Sequence, residues 1–252
     1  MTRSAPPDDR RLEELGLNSS APPGQLVYDG WLLRLLRGKA KRARSVNAVY
    51  PSQAPLDEKI AYCERLYRAA ALPTLFRITP FSQPAGLDHA LGSRGYERFE
   101  TTAVEAAPID PARLGEGGAQ PMELSSWVEA VGQLRRSPAG QRSAHLARLE
   151  GMPLAMRAVS IRSEGRVLAT GLTIVEDDCA GLFDIITGTD VQRQGHAKSV
   201  VTSLLRMAWE LGARHAYLQV KEDNIVARRL YAQFGFAERY VYWYRGRPGD
   251  ME

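Results

Sequence analysis

Residues 154–198 constrain the fold more than any other stretch of the chain. Three β-like runs, 154–162, 166–175 and 179–187, are separated only by Glu164-Gly165 and by Glu176-Asp177-Asp178. Connections that short cannot carry a crossover, so the strands form an antiparallel meander. The third run then passes through a tight polar loop directly into the clearest helix of the sequence. Ala197, Val200, Val201, Leu204, Leu205, Ala208 and Leu211 make a continuous apolar stripe, and Gly212 ends it. A meander ahead of the loop disfavours a parallel dinucleotide-binding fold. The loop also lacks the Gly-Lys-Ser/Thr ending of a triphosphate-binding loop.

The loop and first helical turn read Gln192-Arg193-Gln194-Gly195-His196-Ala197-Lys198. The first N–H groups of a helix have no intrahelical partner, and the dipole makes that end positive. Gly195 and Ala197 leave room for close approach, while Arg193 and Lys198 add full charge. This composition suits a pyrophosphate seat, with His196 useful for its backbone N–H. Further on, residues 216–220 read as a strand and Asn224 stands at a helix N-cap position. Ala227, Leu230, Tyr231 and Phe234 supply the inner face of that helix, Gly235 ends it, and 236–245 is a final strand.

These two segments carry a resemblance. Gln192-x-x-Gly195-x-Ala197 is similar to the Gln/Arg-x-x-Gly-x-Gly/Ala signature of the GCN5-related N-acetyltransferase (GNAT) superfamily. The run from Asn224 through Ala227, Leu230-Tyr231 and Gly235-Phe236 resembles that family's second signature, in the same order and spacing. Thr189 stands where the family often has Pro. The resemblance covers roughly residues 122–245 and implies an α+β fold: a mixed, mainly antiparallel twisted sheet flanked by helices. It implies acetyl-CoA as co-substrate and acyl transfer to a primary amine by direct attack in a ternary complex. By position, the backbone of Ile185, Ile186 and Thr187 would pair with the pantetheine arm. Gln192, Arg193, Gln194, Gly195, His196, Ala197 and Lys198 would surround the pyrophosphate. Asn224 and Ala227 would contact the coenzyme, and Tyr231 would protonate the leaving thiolate. Asp184, on the strand entering the loop, is the candidate base, although a strand-end aspartate is also an ordinary feature. A catalytically weak acyl-CoA-binding or regulatory module is the alternative reading, because no residue declares itself as general base.

The first half is less explicit. Residues 10–17 read as a short helix after a polar tail, 31–37 and 43–50 as strands joined at Gly38-Lys39, and 56–70 as a helix. A strand at 74–78, a helix at 87–93, Gly95-Tyr96 and a strand at 96–106 follow. That order repeats the strand–helix–Gly–aromatic–strand ending of the second half. A duplicated unit explains this, and so does a common supersecondary pattern. Asp29-Gly-Trp-Leu-Leu-Arg34, Arg44-Ser-Val-Asn47 and Arg94-Gly95-Tyr96 resemble the degenerate first lobe of two-lobed bacterial members of the same superfamily. Leu91 stands where the second half has Tyr231, and no pyrophosphate signature is present, so this lobe is expected to bind no coenzyme. The Pro/Gly-rich stretch 108–121 reads as a linker. The expected division is therefore a tail and short helix (1–20), a degenerate lobe (21–107), the linker, and a coenzyme-binding domain (122–252).

At 252 residues, 44% hydrophobic and 25% charged, the chain can bury its cores without disulfide or metal staples. Cys63 and Cys179 lie in no zinc-ligand pattern, so no metal is expected. No apolar run reaches membrane-spanning length, and the N-terminus lacks a secretory signal, so the cytoplasm is the expected location and membrane association is not expected. The net charge of +4 permits an anionic ligand without demanding nucleic acid. Six basic residues (Arg34, Arg37, Lys39, Lys41, Arg42, Arg44) read as a solvated hairpin more readily than as a nucleic-acid surface. Expected partners are a small-molecule or peptide amine; a homodimer is left open.

Overall fold

The computed structural model describes residues 5–38 and 40–250. The first residues of the expected tail, Lys39 of the expected hairpin turn, and 251–252 lie outside them. The elements begin with α1 (Asp9–Asn18), β1 (Gln25–Tyr28), β2 (Trp31–Arg34), β3 (Val46–Asn47), α2 (Leu56–Ala69), β4 (Phe76–Ile78), α3 (Leu87–Gly92) and β5 (Glu97–Pro108). They continue with β6 (Gln120–Pro121), α4 (Leu124–Arg135), α5 (Ala139–Glu150), β7 (Ala155–Ser163), β8 (Arg166–Glu176) and β9 (Cys179–Thr187). The last are α6 (His196–Glu210), β10 (His215–Lys221), α7 (Ile225–Ala232) and β11 (Ala237–Gly246).

Two compact units share these elements, and neither is continuous in sequence. One contains residues 5–19 and 104–239, the other 20–103 and 240–250. This corrects the division expected at 108–121. The N-terminal helix belongs with the meander because Arg11 pairs with Glu176 at 2.9 Å and Asp177 at 2.8 Å. Gly16 of α1 also lies so close to Gln219 that an added Cβ would come within 2.6 Å of its amide nitrogen. The chain end belongs with the other unit because β11 pairs antiparallel with β4, from Trp243↔Ile78 to Arg245↔Phe76. Arg245 then holds Asp88 through two hydrogen bonds of 2.8 and 3.0 Å.

The expected linker is packed. Its Gly-rich centre lies on α6, where Gly118 N–H donates to Ser199 Oγ at 2.7 Å and Ala119 N–H to Ser203 Oγ at 3.1 Å. A Cβ at Gly117 would fall 2.2 Å from Ser203 Oγ, so glycine serves close approach there rather than flexibility.

In the meander unit the strand order is β5-β10-β9-β8-β7-β6, with β9–β10 parallel and the β6–β7, β7–β8 and β8–β9 pairs antiparallel. Alternation along β8 separates two layers. Leu172 and Ile174 pack with Trp127, Val128, Val131 and Leu149 of α4 and α5. Gly171 turns the other way, and its missing side chain admits Val200 and Leu204 of α6. The result is a mixed α+β unit, mainly antiparallel, with helices on both faces.

In the other unit the order is β1-β2-β3-β4-β11, again with one parallel pair, β3–β4. Its core gathers Trp31, Leu33, Val46, Ile60, Cys63, Tyr67, Phe76 and Tyr96. The strands expected at 31–37 and 43–50 are shorter than predicted, and a 3-10 turn (Lys41–Ala43) stands between them. β1, which the sequence reading passed over, pairs with β2 through a turn in which Asp29 and Gly30 both have positive φ. The basic run is mostly not a solvated hairpin. Arg34 is 1% exposed and donates to Ser20 Oγ, Arg37 donates to the Ala70 carbonyl, and Lys41 pairs with Glu100 at 3.0 Å.

Candidate active site

β9 has two different halves. Cys179–Leu182 pair with His215–Leu218 of β10, and the pairing ends there. On the opposite side β9 remains paired with β8 as far as Ala169↔Thr187, with a register shift between Thr170 and Leu172. Asp184 sits at that irregularity with φ of 49°. Burial changes at the same point, from fully buried at Cys179–Leu182 to half-buried over Phe183–Thr187. Ile185, Ile186 and Thr187 therefore lie in the strand's second half, beyond its pairing with β10. Thr187 Oγ1 is buried there without a hydrogen-bond partner.

The loop after β9 folds back through Gly188, whose N–H donates to the Leu168 carbonyl at 2.8 Å. Arg193 and Gly195 both adopt left-handed backbone, at φ of 62° and 84°. Such alternation turns successive N–H groups toward one concave side. Gly195 is the N-cap of α6, and no side chain caps that helix. Its first turn holds no acidic residue, and nothing stands within 4 Å of where a Gly195 Cβ would be. Gln192, Arg193, Gln194 and Lys198 are exposed, and His196 and Ala197 half-buried. The structure thus brings the loop residues together at one helix end without a side-chain cap, with Arg193 and Lys198 exposed beside it.

α7 starts as the sequence indicates. Asn224 is its N-cap, accepting from Ala227 N–H at 3.2 Å. That hydrogen bond fixes Ala227 at the helix's first turn. Tyr231 is 8% exposed and meets Phe236 edge-on at 6.1 Å. Its hydroxyl has no hydrogen-bond partner among the described residues. Burial, with Glu105 adding to it, pushes the phenol up to about 12, so it is protonated at neutral pH. Cys179 is buried and its thiol is likewise pushed up to about 12 by burial, which makes it a poor nucleophile.

Asp184 is not a free carboxylate. Its Oδ1 meets Arg135 of α4 at 2.5 Å and its Oδ2 faces His145 Nε2 of α5 at 3.4 Å. His145 in turn lies edge-on to Trp127 at 5.7 Å. Sequence reading singled out neither Arg135 nor His145. A cavity of about 690 Å³ opens elsewhere in this unit, between α4, α5 and the β7–β8 hairpin, with Gln133, Arg142, Arg162 and Arg166 in its lining. None of the residues expected to hold a coenzyme lines it. Among the described residues no three His, Cys, Asp or Glu side chains gather as metal ligands, and no helix is long and apolar enough to cross a membrane.

Residues 127–236 match the family model described as the acetyltransferase (GNAT) family. That segment of the chain resembles the GNAT acetyltransferases. The matched segment runs from within α4 to the residue before β11, and it includes the parted β9–β10 pair, the α6 loop and Tyr231. Over nearly its full length the chain is similar to the uncharacterised N-acetyltransferase YobR of Bacillus subtilis: 29% identical over 247 residues, covering 94% of this chain and 98% of YobR. A GCN5-related N-acetyltransferase from Kribbella flavida shares its fold, with a TM-score of 0.66 at 17% identity over 94% of this chain and 93% of that one. So does a tandem GNAT protein from the clavulanic acid biosynthesis pathway, with a TM-score of 0.64 at 14% identity over 98% and 90% of the two chains. Both are likenesses of fold.

Proposed function

We propose that this chain transfers the acetyl group of acetyl-CoA to a primary amine, by direct attack with both substrates bound. The observation that carries this reading is the parting of β9 from β10 after Leu182/Leu218, with an uncapped, glycine-opened helix end at the far end of the same strand. An extended thiol arm fits such a gap as an added strand fits an exposed edge. Acetyl-CoA, when bound, supplies an acyl group already activated as a thioester.

The chain's own residues then have three tasks. Ile185, Ile186 and Thr187 offer backbone partners to the pantetheine amides, and the unpartnered Thr187 hydroxyl supports that assignment. Gln192 to Lys198 hold the pyrophosphate through N–H groups and positive charge. Asn224 and Ala227, at the start of α7, flank the coenzyme. Tyr231 gives its phenolic proton to the departing sulfur; a group that stays protonated at neutral pH and has no competing acceptor suits that task. Holding amine and thioester together provides much of the acceleration. No residue is assigned to a metal. The acceptor is read as a small-molecule or peptide amine, and the setting as the cytoplasm.

Calorimetry with acetyl-CoA, followed by CoA release across an amine panel, tests the reading. Micromolar binding and amine-dependent release are expected. No binding by folded protein at high micromolar acetyl-CoA would remove it. Binding without release to any amine would favour the regulatory module instead.

A further inference from the structure

The general base is the part of the reaction that the sequence does not declare, and Asp184 alone is ill suited to it. Both of its oxygens already face cationic or proton-bearing groups, Arg135 at 2.5 Å and His145 at 3.4 Å. What is unusual is where this cluster sits. β9–β10 pairing stops at Leu182/Leu218, Asp184 follows two residues later in left-handed backbone, and the pyrophosphate loop lies at the other end of Ile185–Thr187. An extended arm seated at the loop and running back along β9 brings its thioester end to Asp184. α5 supplies the imidazole at that level, 18% exposed against the edge of Trp127.

We propose that His145 is the proton-accepting residue of the transfer and that Asp184, itself held by Arg135, is its positioning residue. This rests on the acetyl-CoA reading above. Nε2 faces the carboxylate, so Nδ1 carries the lone pair that accepts the proton. As the amine nitrogen forms its bond to the acyl carbon, the C–S bond breaks. His145 takes the proton that nitrogen loses, and Tyr231 gives one to sulfur. His145 then releases its proton to water, Tyr231 recovers one, and the products are amide and free CoA thiol.

The charges around the imidazole are consistent with a base at neutral pH. Burial lowers its pKa below the usual histidine value, Asp184 on β9 opposes that, and Arg148 of α5 and Arg135 of α4 add to it. The neutral form therefore predominates before the amine arrives, and Asp184 stabilises the imidazolium once it forms. Arg148 also donates to the Ser19 carbonyl at 3.1 Å, which fixes α5 against the end of α1.

Two variants of the full chain separate this from a structural role. His145 ring resonances are followed by NMR titration in the free protein, with His145→Gln for assignment. Asp184→Asn removes the attracting carboxylate and shifts the titration to lower pH. Arg135→Gln frees the carboxylate of its competing cation and shifts it to higher pH. Shifts of opposite sign are expected. A titration that neither variant moves overturns the pairing, and a fold lost in one variant leaves the other to decide. The activity arm uses whichever of spermidine, lysine or an alanine-leading peptide releases CoA fastest. His145→Gln keeps acetyl-CoA affinity within about twofold but loses about 100-fold in release at pH 7. Its remaining rate rises with pH along the amine's own ionisation. Wild-type release and pH profile in His145→Gln would overturn the proposal. Absent coenzyme binding in the wild type would sink the acetyl-CoA reading instead, and the proton-acceptor role with it.

Discussion

The two units build the same frame and finish it differently. Two stretches of the chain, β3–α2–β4–α3–β5 and β9–α6–β10–α7–β11, run in the same order, and each has one parallel pair, β3–β4 or β9–β10. The endings match in detail. Gly95 and Gly235 adopt φ of 80° and 84°. Tyr96 N–H donates to the Leu91 carbonyl at 3.1 Å, and Phe236 N–H to the Tyr231 carbonyl at 3.3 Å. The difference lies at the loop between the first strand and the long helix. After β9 the loop and first helical turn carry Arg193 and Lys198, with no acidic residue in that turn. After β3 the equivalent position is filled from within. The Asp29 carboxylate takes the N–H groups of Gln53 (3.1 Å) and Ala54 (2.9 Å), and it pairs with the fully buried Lys59 at 3.1 Å. The first turn of α2 also carries Asp57 and Glu58, which repel an anion. One frame is open to an anion and the other carries its own.

The contrast breaks most sharply at Gly195. A Gly195→Glu chain pays for left-handed backbone, about 1–2 kcal/mol, and sets a carboxylate at the helix end proposed to hold the pyrophosphate. Acetyl-CoA affinity is expected to fall at least about 100-fold, roughly 2.7 kcal/mol or more, as read by calorimetry. Near-wild-type affinity would remove the α6 loop from the coenzyme site. The equivalents Leu91 and Tyr231 give the next largest effect. Tyr231→Phe keeps coenzyme affinity within about twofold and lowers kcat by about 100-fold, in the range of a lost general acid. Unchanged kcat would return Tyr231 to the role its counterpart Leu91 plays, that of a core side chain.

Asp29→Ala sharpens the comparison from the other side. It leaves Lys59, packed 4.1 Å from the face of Trp31, without its carboxylate, and an uncompensated buried ammonium is strongly destabilising. The melting temperature is expected to fall by several degrees while acetyl-CoA affinity stays at the wild-type value. A fall in affinity with no change in melting would place the coenzyme in the wrong unit.

What the sequence made legible follows this same division between local and distant determinants. The meander was readable from turns of two or three residues, α6 from its stripe, and Asn224 and Gly235 from cap chemistry that acts within one turn. β1 was missed because Gln25–Tyr28 is largely exposed and lacks the alternation of a half-buried strand, although Asp29-Gly30 marks its turn. The exchange of terminal elements was not readable, because it rests on pairs such as Arg11–Glu176 and Arg245–Asp88 that no local pattern encodes. The linker was misread because glycine content reports flexibility and close packing alike. Arg135, His145 and Asp184 meet through α4, α5 and β9, so only folding assembles them, whereas the α6 loop is contiguous and carries its own signature.

The smallest expected effect concerns the order in which acid reaches the two units. His145 has its pKa lowered, chiefly by burial, so the folded chain resists the proton that the unfolded chain accepts near 6.5. Its unit therefore loses stability as pH falls below 6.5 toward the folded value, and the loss is complete beneath it. Asp29 is shifted by a different cause, the N–H groups of Ala54 and Gln53, which lower its pKa below 3.8. Its contribution is intact above 3.8 and disappears only as pH falls through that lower folded value. Backbone hydrogen exchange followed from pH 7 to 3, corrected for intrinsic rates, should loosen α5 first and the Gln53–Ala54 turn only below about pH 4. Simultaneous loosening of both would mean that the imidazole and the carboxylate do not set the separate acid responses of the two frames.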